Sequence, residues 1–159
     1  MSAKTNAMRI LDREKISYQM HEYDTSDGVI DGVHVAAKCG MDPARVYKTL
    51  VTAGSDHGYY VFVIPVAAEL DLKACARAVG VKSVEMIHVK DINRITGYIR
   101  GGCSPVGMKK PFVTVYDQAI LDIPTVYVSG GRIGLQIEAA PADLIWATNG
   151  KTEDITHHD

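Results

Sequence analysis

Hydrophobic and polar positions follow two periods along this chain, one typical of helices and one typical of strands. Residues 4–15 carry apolar side chains at helical spacing, among them Met8 and Leu11, which predicts an amphipathic N-terminal helix. Residues 18–23 alternate at every second position, as a half-buried strand does. The turn-rich stretch DTSDGVIDG that follows should form a loop.

Capping residues mark where four short helical segments should begin or end. Asp42 and Asp71 can accept hydrogen bonds from the first turn of a helix, and the proline after Asp42 suits the first helical position. Glycines that suit left-handed helix ends stand at Gly40, Gly80 and Gly97. We therefore expect helical segments over 34–39, after Asp42, over 71–79 and over 88–96.

The remaining apolar pattern is typical of strands. Residues 46–53 and 59–65 are separated by GSDHG, which predicts a hairpin. Further strands are expected at FVTVYD, PTVYVS and GLQIEA, with Gly130-Gly131 turning between the last two. PADLIWAT should form a closing helix. Helices interspersed with about six or seven short strands predict an α+β fold, a mixed β-barrel or sheet surrounded by helices.

Composition narrows the class of protein. The chain has 159 residues, of which 47% are hydrophobic, and this suits one domain over 1–159 with an ordinary core. No apolar run approaches the roughly 18 to 20 residues of a membrane span, and the start lacks the apolar core of a secretory signal, so we expect a cytoplasmic protein with no membrane partner. Cys39, Cys75 and Cys103 are odd in number and widely spaced, which predicts reduced thiols.

The candidate chemistry is limited first by the motifs that are missing. The sequence contains no GxGxxG, GxxxxGK[ST], HExxH or GxSxG motif, so dinucleotide, P-loop, zincin and α/β-hydrolase chemistry lose their usual support. The histidines lack metal-ligand spacing, and we expect neither a metal nor a cofactor. The net charge of −2 gives no general attraction to nucleic acid. We expect no DNA partner, and RNA would need a local basic patch or a protein that holds it.

Lys48 places a cation inside the apolar stretch RVYKTLV. On the pattern alone it could be a solvent-facing lysine that protects an exposed strand. It could equally be a fixed ammonium in a pocket that holds a carbonyl or phosphate oxygen. Thr49 should point to the opposite face, so both residues can serve one site only through a bulge or through the Thr49 backbone.

The stretch GGCSPVGMKK, residues 101–110, predicts a tight loop with exposed backbone amides. It could be a plain connection or a cradle for a ligand. Cys103 within it is a weak candidate for a nucleophile, because the sequence shows no activating histidine beside it. Arg100, Lys109 and Lys110 form a candidate phosphate-binding edge or a solvated loop. Tyr23, near the first loop, could stack on a ligand or simply pack.

Four stretches follow one another along almost the whole chain: VYKTL, PVAAELDLKACARAVGVKSVEM, TGYIRGGCSPVGMKK and TVYVSGGRIGLQIEAAPADL. Their order and approximate spacing resemble those of the YbaK family of aminoacyl-tRNA deacylases. The resemblance implies the fold of the editing insertion domain of bacterial prolyl-tRNA synthetase. It also implies an enzyme that acts on the aminoacyl ester of Cys-tRNA(Pro) or Cys-tRNA(Cys), in transient complex with prolyl-tRNA synthetase.

The resemblance also assigns roles to particular residues. The essential lysine of the family falls on Lys48 and its substrate pocket on the positions Tyr23, Thr49, Gly101, Gly102, Cys103, Ser104, Pro105, Gly107 and Gln136. Two departures stand out. A pocket phenylalanine of some relatives falls near Ile30 or Asp31, and a position often occupied by aspartate is Gln136, which suggests a neutral hydrogen-bond partner.

The mechanism that the resemblance implies uses the thiol of the substrate's own cysteine, which attacks the ester carbonyl and leaves as a cyclic thiolactone. No catalytic cysteine is then needed, and positioning is the main contribution of the protein. Two alternatives stay open at this point. One is an Ala-tRNA(Pro)-type deacylase that uses bound water, and the other is a non-catalytic module that binds aminoacyl-tRNA or a synthetase.

Overall fold

The computed structural model describes residues 4–28 and 31–158. Within them the five α-helices are α1 (Asn6–Arg13), α2 (Gly32–Lys38), α3 (Leu72–Val79), α4 (Ile92–Thr96) and α5 (Pro141–Ala147). The eight strands are β1 (Gln19–Glu22), β2 (Tyr47–Gly54), β3 (Tyr59–Pro65), β4 (Val84–Met86), β5 (Val113–Asp117), β6 (Val126–Ser129), β7 (Leu135–Ala139) and β8 (Lys151–Glu153). Short 3-10 helices cover Pro43–Arg45, Val89–Asp91 and Gln118–Asp122.

The strands form two sheets. The larger has the order β4-β2-β3-β5-β8, with antiparallel pairing around β2 and parallel pairing of β5 with β3 and β8. The smaller has the order β1-β7-β6 and is antiparallel. The predicted mixed α+β fold is therefore confirmed. The barrel alternative is wrong for the described residues, because the strands divide between two open sheets.

Local capping explains where the helices begin and end. Asp71 accepts hydrogen bonds from the backbone of Lys73 and Ala74 at the start of α3, and Gly80 ends this helix with φ +75°. Gly97 ends α4 in the same way, with φ +87°. These positions agree with the sequence prediction, because an aspartate N-cap and a left-handed glycine satisfy helix ends locally.

The core lies on both faces of the larger sheet. Between the two sheets, the apolar side of α1 packs with the inner residues of β3, β6 and β7. On the other face, α3 covers Phe62, Ile64 and Val115 through Cys75 and Ala76. This arrangement buries β3 completely from Val61 to Ile64. None of the helices in 4–28 and 31–158 is long and apolar enough to span a membrane.

Three details differ from the sequence prediction. Strands β4 and β8 were not predicted, because three residues are too few to establish an alternating pattern. Since β8 follows α5, that helix does not close the chain. The predicted hairpin of β6 and β7 forms, but its connection runs from Gly130 to Gly134, and the Gly130 amide donates to the Leu135 carbonyl at 2.9 Å.

Candidate active site

A cavity of about 440 Å³ opens beside β2. Six parts of the chain line it: the Tyr23 region with the start of α2, the first half of β2, Val66 after β3, the segment from β4 to α4, the loop at 100–103, and the facing ends of β6 and β7. Its charged lining residues among those described are Asp31, Lys48 and Arg100. The cavity therefore combines one carboxylate with two cations on mostly apolar walls.

The cavity exists because one edge of β2 is only partly covered. Strand β4 pairs with β2 only from Thr52 to Gly54. On the same side, β6 contacts the residue before β2 through a single bridge between Val46 and Tyr127. Between these two contacts, residues 48–51 line the cavity. A gap in sheet pairing therefore supplies backbone groups as well as side chains to the site.

Hydrogen bonds along β2 establish which backbone groups face this edge. The Val46 carbonyl accepts from the Val66 amide at 2.9 Å, and the Gly54 amide donates to Gly58 at 2.7 Å. Even-numbered positions of β2 therefore direct their amide and carbonyl toward β3, while odd-numbered positions direct them to the other edge. The Val51 carbonyl follows this rule, since it accepts from the Ile87 amide at 3.2 Å. The amide and carbonyl of Thr49 are directed to the cavity edge.

Lys48 and Thr49 both line the cavity without a bulge between them. The β2–β3 register is continuous from Tyr47 opposite Pro65 to Ala53 opposite Tyr59. The side chains of Lys48 and Thr49 therefore lie on opposite faces of the strand, and of the two routes that the sequence left open, the backbone of Thr49 fits the geometry. Its Oγ1 is buried and has no hydrogen-bond partner among the described residues.

The Lys48 ammonium is partly buried. Loss of water around it lowers its pKa, and the charge of Glu69 partly opposes this change. No ion pair or hydrogen bond to this ammonium is formed by any residue in 4–28 or 31–158. A cation that has lost water and gained no carboxylate partner is suited to bind an oxygen atom of a ligand.

The glycine loop is divided between the cavity and the core. Gly101, with φ +84°, lines the cavity together with Arg100 and Cys103. A positive φ of this size favours glycine, which explains why the loop can turn sharply at the cavity wall. Arg100 is exposed at the same wall.

The rest of the predicted loop holds its shape. Gly102 packs so closely that a Cβ there would lie 2.9 Å from the backbone of Arg132 and Ile133. The Ser104 hydroxyl is buried and accepts from the Val106 amide at 3.3 Å. The Gly107 carbonyl accepts from the side-chain amide of Asn6 at 2.7 Å. Like buried Pro105, these residues lie outside the described lining of the cavity.

Cys103 is poorly suited to act as a nucleophile. Burial raises the pKa of its thiol to about 11, and a hydrogen bond with the Thr96 side chain offsets this only in part. The thiolate, which is the reactive form, is therefore scarce at neutral pH. No histidine is found among the described residues that line the cavity. The site offers an apolar thiol wall and no thiol–imidazole pair.

Tyr23 and Gln136 lie on the wall formed by the smaller sheet. The Tyr23 amide donates to the Gly134 carbonyl at 2.9 Å, which holds Tyr23 beside the start of β7. Gln136 stands between His21 and Ser129 in the sheet register and is 7% exposed. Its buried Oε1 has no partner among the described residues. This oxygen can only accept a hydrogen bond.

The other sequence candidates divide in the same way. Asp31 lines the cavity and caps α2, whereas Ile30 lies outside the described residues. Lys109 and Lys110 are exposed outside the cavity lining, and the Lys109 ammonium donates to the Arg94 carbonyl at 3.2 Å. Arg100 therefore borders the cavity while the two lysines lie farther along the loop.

The apolar rim of the cavity was missed by sequence reasoning. Val33, Met86 and Val89 all line the cavity and are between 44% and 56% exposed. Ile87 and Ile92 continue this surface inward. The rim was missed together with β4, because the three residues of that strand are too few to establish an alternating pattern in the sequence.

Residues 31–146 match the family model described as the aminoacyl-tRNA editing domain. The chain belongs to this aminoacyl-tRNA editing family. It is similar to EbsC of Enterococcus faecalis, which is named as a proposed Cys-tRNA(Pro)/Cys-tRNA(Cys) deacylase, with 46% identity over 153 residues that cover 96% of this chain and 93% of the relative. The resemblance inferred from the motifs is therefore confirmed.

Solved structures agree with this editing-family fold. A hypothetical protein designated APE2540 has a TM-score of 0.87 at 24% identity and covers 96% of this chain and 99% of its own. A proposed trans-editing enzyme for prolyl-tRNA synthetase has a TM-score of 0.84, also at 24% identity, and covers 99% and 100%. At this identity the two matches establish the shared fold.

Proposed function

We propose that this protein is a trans-editing enzyme that deacylates Cys-tRNA(Pro) and Cys-tRNA(Cys), and so clears mischarged aminoacyl-tRNA. The name of the relative EbsC supports the substrate, and family membership supports the aminoacyl ester as the bond acted upon. The observation that carries the proposal is a cavity lined by the partly buried Lys48, whose ammonium pairs with no described residue. The described lining also contains no activated nucleophile.

We propose that the substrate brings its own nucleophile, since the described lining residues include no activated one. In the proposed reaction, the sulfur of the esterified cysteine attacks its carbonyl carbon and a C–S bond forms. The C–O bond to the terminal ribose then breaks, and the ribose oxygen receives the proton that the thiol gave up. The products are a cysteine thiolactone and tRNA with a free hydroxyl. Holding the thiol near its own carbonyl supplies the rate advantage of an intramolecular reaction.

Lys48 is proposed to bind the oxygen on which negative charge develops, either the carbonyl oxygen or an oxygen of the terminal nucleotide. Its ammonium lies where water is partly excluded, so its attraction for an oxyanion is stronger than in bulk water. The edge amide of Thr49 and the backbone of Gly101 are further donors in the proposed substrate site.

Gln136 is proposed to recognise a donor group of the substrate. Its Oε1 is buried at a cavity-lining residue and has no partner among the described residues. An oxygen in this state costs free energy until a ligand satisfies it. The free α-amino group of the ester and the ribose hydroxyls are donors that can do so. Tyr23 is proposed to form the adjoining wall.

The remaining predicted residues are proposed to serve the site indirectly. Gly102, Ser104, Pro105 and Gly107 hold the loop against neighbouring backbone, which positions Gly101 and Cys103 at the substrate. Cys103 is then a small wall residue. This assignment keeps the whole loop in the substrate site while limiting direct contact to the residues that line the cavity.

Selection of cysteine over similar side chains is proposed to come from the chemistry of the thiol. A pocket that merely fits a small side chain discriminates by about 10- to 200-fold per methylene. Serine and alanine esters fit the same space but lack the attacking sulfur. We propose that a transient complex with prolyl-tRNA synthetase, in the cytoplasm where translation occurs, supplies the tRNA identity, because the net charge of −2 offers little general affinity for RNA.

The test compares deacylation of Cys-tRNA(Pro), Ser-tRNA(Pro) and Ala-tRNA(Pro) by the wild type and by Lys48→Met. The proposal predicts that the wild type rapidly deacylates the cysteine ester alone. The variant should lose this activity. Comparable hydrolysis of the alanine ester would instead assign the protein to the water-using class. Binding of all three without deacylation would support the non-catalytic module and overturn the proposal.

A further inference from the structure

Charge is distributed unevenly along this chain. Between His88 and Phe112 there is one carboxylate, Asp91, and five cations, which are Lys90, Arg94, Arg100, Lys109 and Lys110. Since the whole chain has 17 lysines and arginines against 19 aspartates and glutamates, the rest of the sequence keeps twelve cations for eighteen carboxylates. The segment is therefore a basic region on an otherwise acidic protein.

This basic segment starts at the cavity and continues away from it. Val89, Ile92 and Arg100 line the cavity. The Lys109 amide donates to the Thr96 carbonyl at 3.0 Å, and its ammonium donates to the Arg94 carbonyl at 3.2 Å. These bonds fasten the lysine end of the loop to α4, which follows directly from the cavity wall.

All five cations of the segment are exposed. The side chains of Val89 and Ile99, in the same segment, are also 56% and 53% exposed. Cations that neutralise phosphates, together with apolar surface that bases can cover, are the two features that single-stranded nucleic acid requires of a protein surface.

We propose that this basic surface, the exposed part of residues 88–112, binds the phosphates of the single-stranded 3′ end and adjoining acceptor stem of tRNA. The inference rests on the proposed function, since an aminoacyl ester in the cavity brings the terminal nucleotides of its RNA to the cavity mouth. An acidic surface of a partner protein is negatively charged, as RNA is, and could also bind these cations. RNA is favoured because the cations are continuous with the cavity that would hold the aminoacyl ester.

The test uses a triple variant, Lys90→Gln, Arg94→Gln and Lys110→Gln, none of which lines the described cavity. The matched control removes three exposed cations elsewhere through Lys73→Gln, Arg77→Gln and Lys82→Gln. Binding of an unacylated tRNA(Pro) acceptor minihelix is followed by fluorescence anisotropy at several salt concentrations. This readout requires no deacylation, so it separates failure of the surface from failure of the proposed function.

The expected result is a Kd about tenfold higher for the triple variant and a salt slope smaller by about two to three, because each lost phosphate contact lowers it by about 0.9 for a duplex. The control should change Kd by less than about twofold. A second readout is deacylation of cysteinyl-adenosine, which lacks the RNA body and should be unchanged in the triple variant.

Equal losses in both variants would mean that only overall charge matters, and unchanged minihelix binding would mean that the surface does not contact RNA. Loss of prolyl-tRNA synthetase binding with full minihelix affinity would make it a protein interface. Each of these three outcomes overturns the proposal. If the triple variant unfolds, Lys110→Gln alone is measured against Lys73→Gln, with a Kd ratio of at least about two expected.

Discussion

Strands β2 and β3 are hydrogen-bonded neighbours with opposite tasks. β3 pairs with β2 on one side and β5 on the other, and its residues from Val61 to Ile64 have no exposed surface. β2 has the same continuous register with β3, but its other edge is covered only near the ends, and residues 48–51 line the cavity. The strand that is paired along both edges belongs to the core, and the strand with one partly open edge lines the cavity.

The difference teaches where a cation can be kept in a sheet. A lysine on β3 would be enclosed by neighbouring strands and would carry the full cost of desolvation. At the open edge of β2, Lys48 remains reachable by a ligand while still losing enough water to lower its pKa. We therefore expect fold and site to respond to different substitutions, and five predictions follow from that separation.

The largest effect is expected for Phe62→Ala in the interior of β3. Phe62 is completely buried between the sheet and α3, and its truncation should lower the free energy of unfolding by about 3 to 5 kcal/mol. Urea unfolding followed by circular dichroism measures this change. A loss of unfolding free energy below about 1 kcal/mol would mean that β3 does not form the stable core of the larger sheet.

Lys48→Met should affect activity and leave the fold intact. Removing a preorganised cation at the reacting oxygen is expected to lower kcat by about 100- to 1,000-fold. The melting temperature should not fall, because the partly buried ammonium has no described partner to lose. Lys82→Met, at an exposed position outside the cavity lining, is the matched control and should keep full activity. A wild-type rate in Lys48→Met would show that Lys48 takes no part in the reaction.

Gly102→Ala should sharpen the comparison inside the loop. The added methyl group would meet the backbone of Arg132 and Ile133 at 2.9 Å, so the loop must shift, at a cost of about 1 to 3 kcal/mol. Unfolding free energy and KM should both change, since the shift moves Gly101 and Cys103 at the cavity wall. Unchanged stability would show that the loop is not held by this contact.

The difference in stability between Lys48→Met and the wild type should depend on pH. The pKa of Lys48 is lower in the native state than its ordinary value, so between these two values the unfolded chain binds more protons and wild-type stability rises with pH. Any stability advantage of the variant should be largest at neutral pH and shrink above the native pKa. Chemical denaturation at several alkaline pH values measures it, and an advantage that grows with pH would have the wrong sign.

The smallest effect is expected for Cys103→Ala. With its pKa raised to about 11, this thiol should contribute only packing, and the rate on Cys-tRNA(Pro) should fall by less than about threefold. Cys103→Ser separates loss of volume from loss of sulfur. A 1,000-fold drop of this rate in both variants would identify Cys103 as a nucleophile. The protein would then supply a reacting group as well as positioning residues.

Much of the fold followed from local signals. The hairpin of β2 and β3, the Asp71 cap and the glycine ends of α3 and α4 depend on neighbouring residues, so the sequence contains their causes. The division into two open sheets depends on contacts between distant segments, such as β1 with β7, and periodicity carries no information about them. Strands β4 and β8 were missed because three residues are too short for a pattern.

Candidate residues of the site could be named from the sequence, whereas their arrangement around one cavity could not. Lys48 stood out because a cation in an apolar strand is unusual, and the motifs led to Thr49, Gly101 and Gln136. The division of the loop between cavity wall and anchoring backbone leaves no local signal in the sequence, because Gly102 contacts residues about 30 positions away. The apolar rim is built from three separate segments.

The central claim is that the substrate supplies the nucleophile while the open edge of β2 supplies position. The direct measurement is the identity of the first product released from Cys-tRNA(Pro), obtained by rapid quenching and mass spectrometry. The account predicts cysteine thiolactone, which carries no oxygen from solvent water, as the earliest product. Free cysteine with one solvent oxygen at the earliest times, and no thiolactone before it, would contradict it.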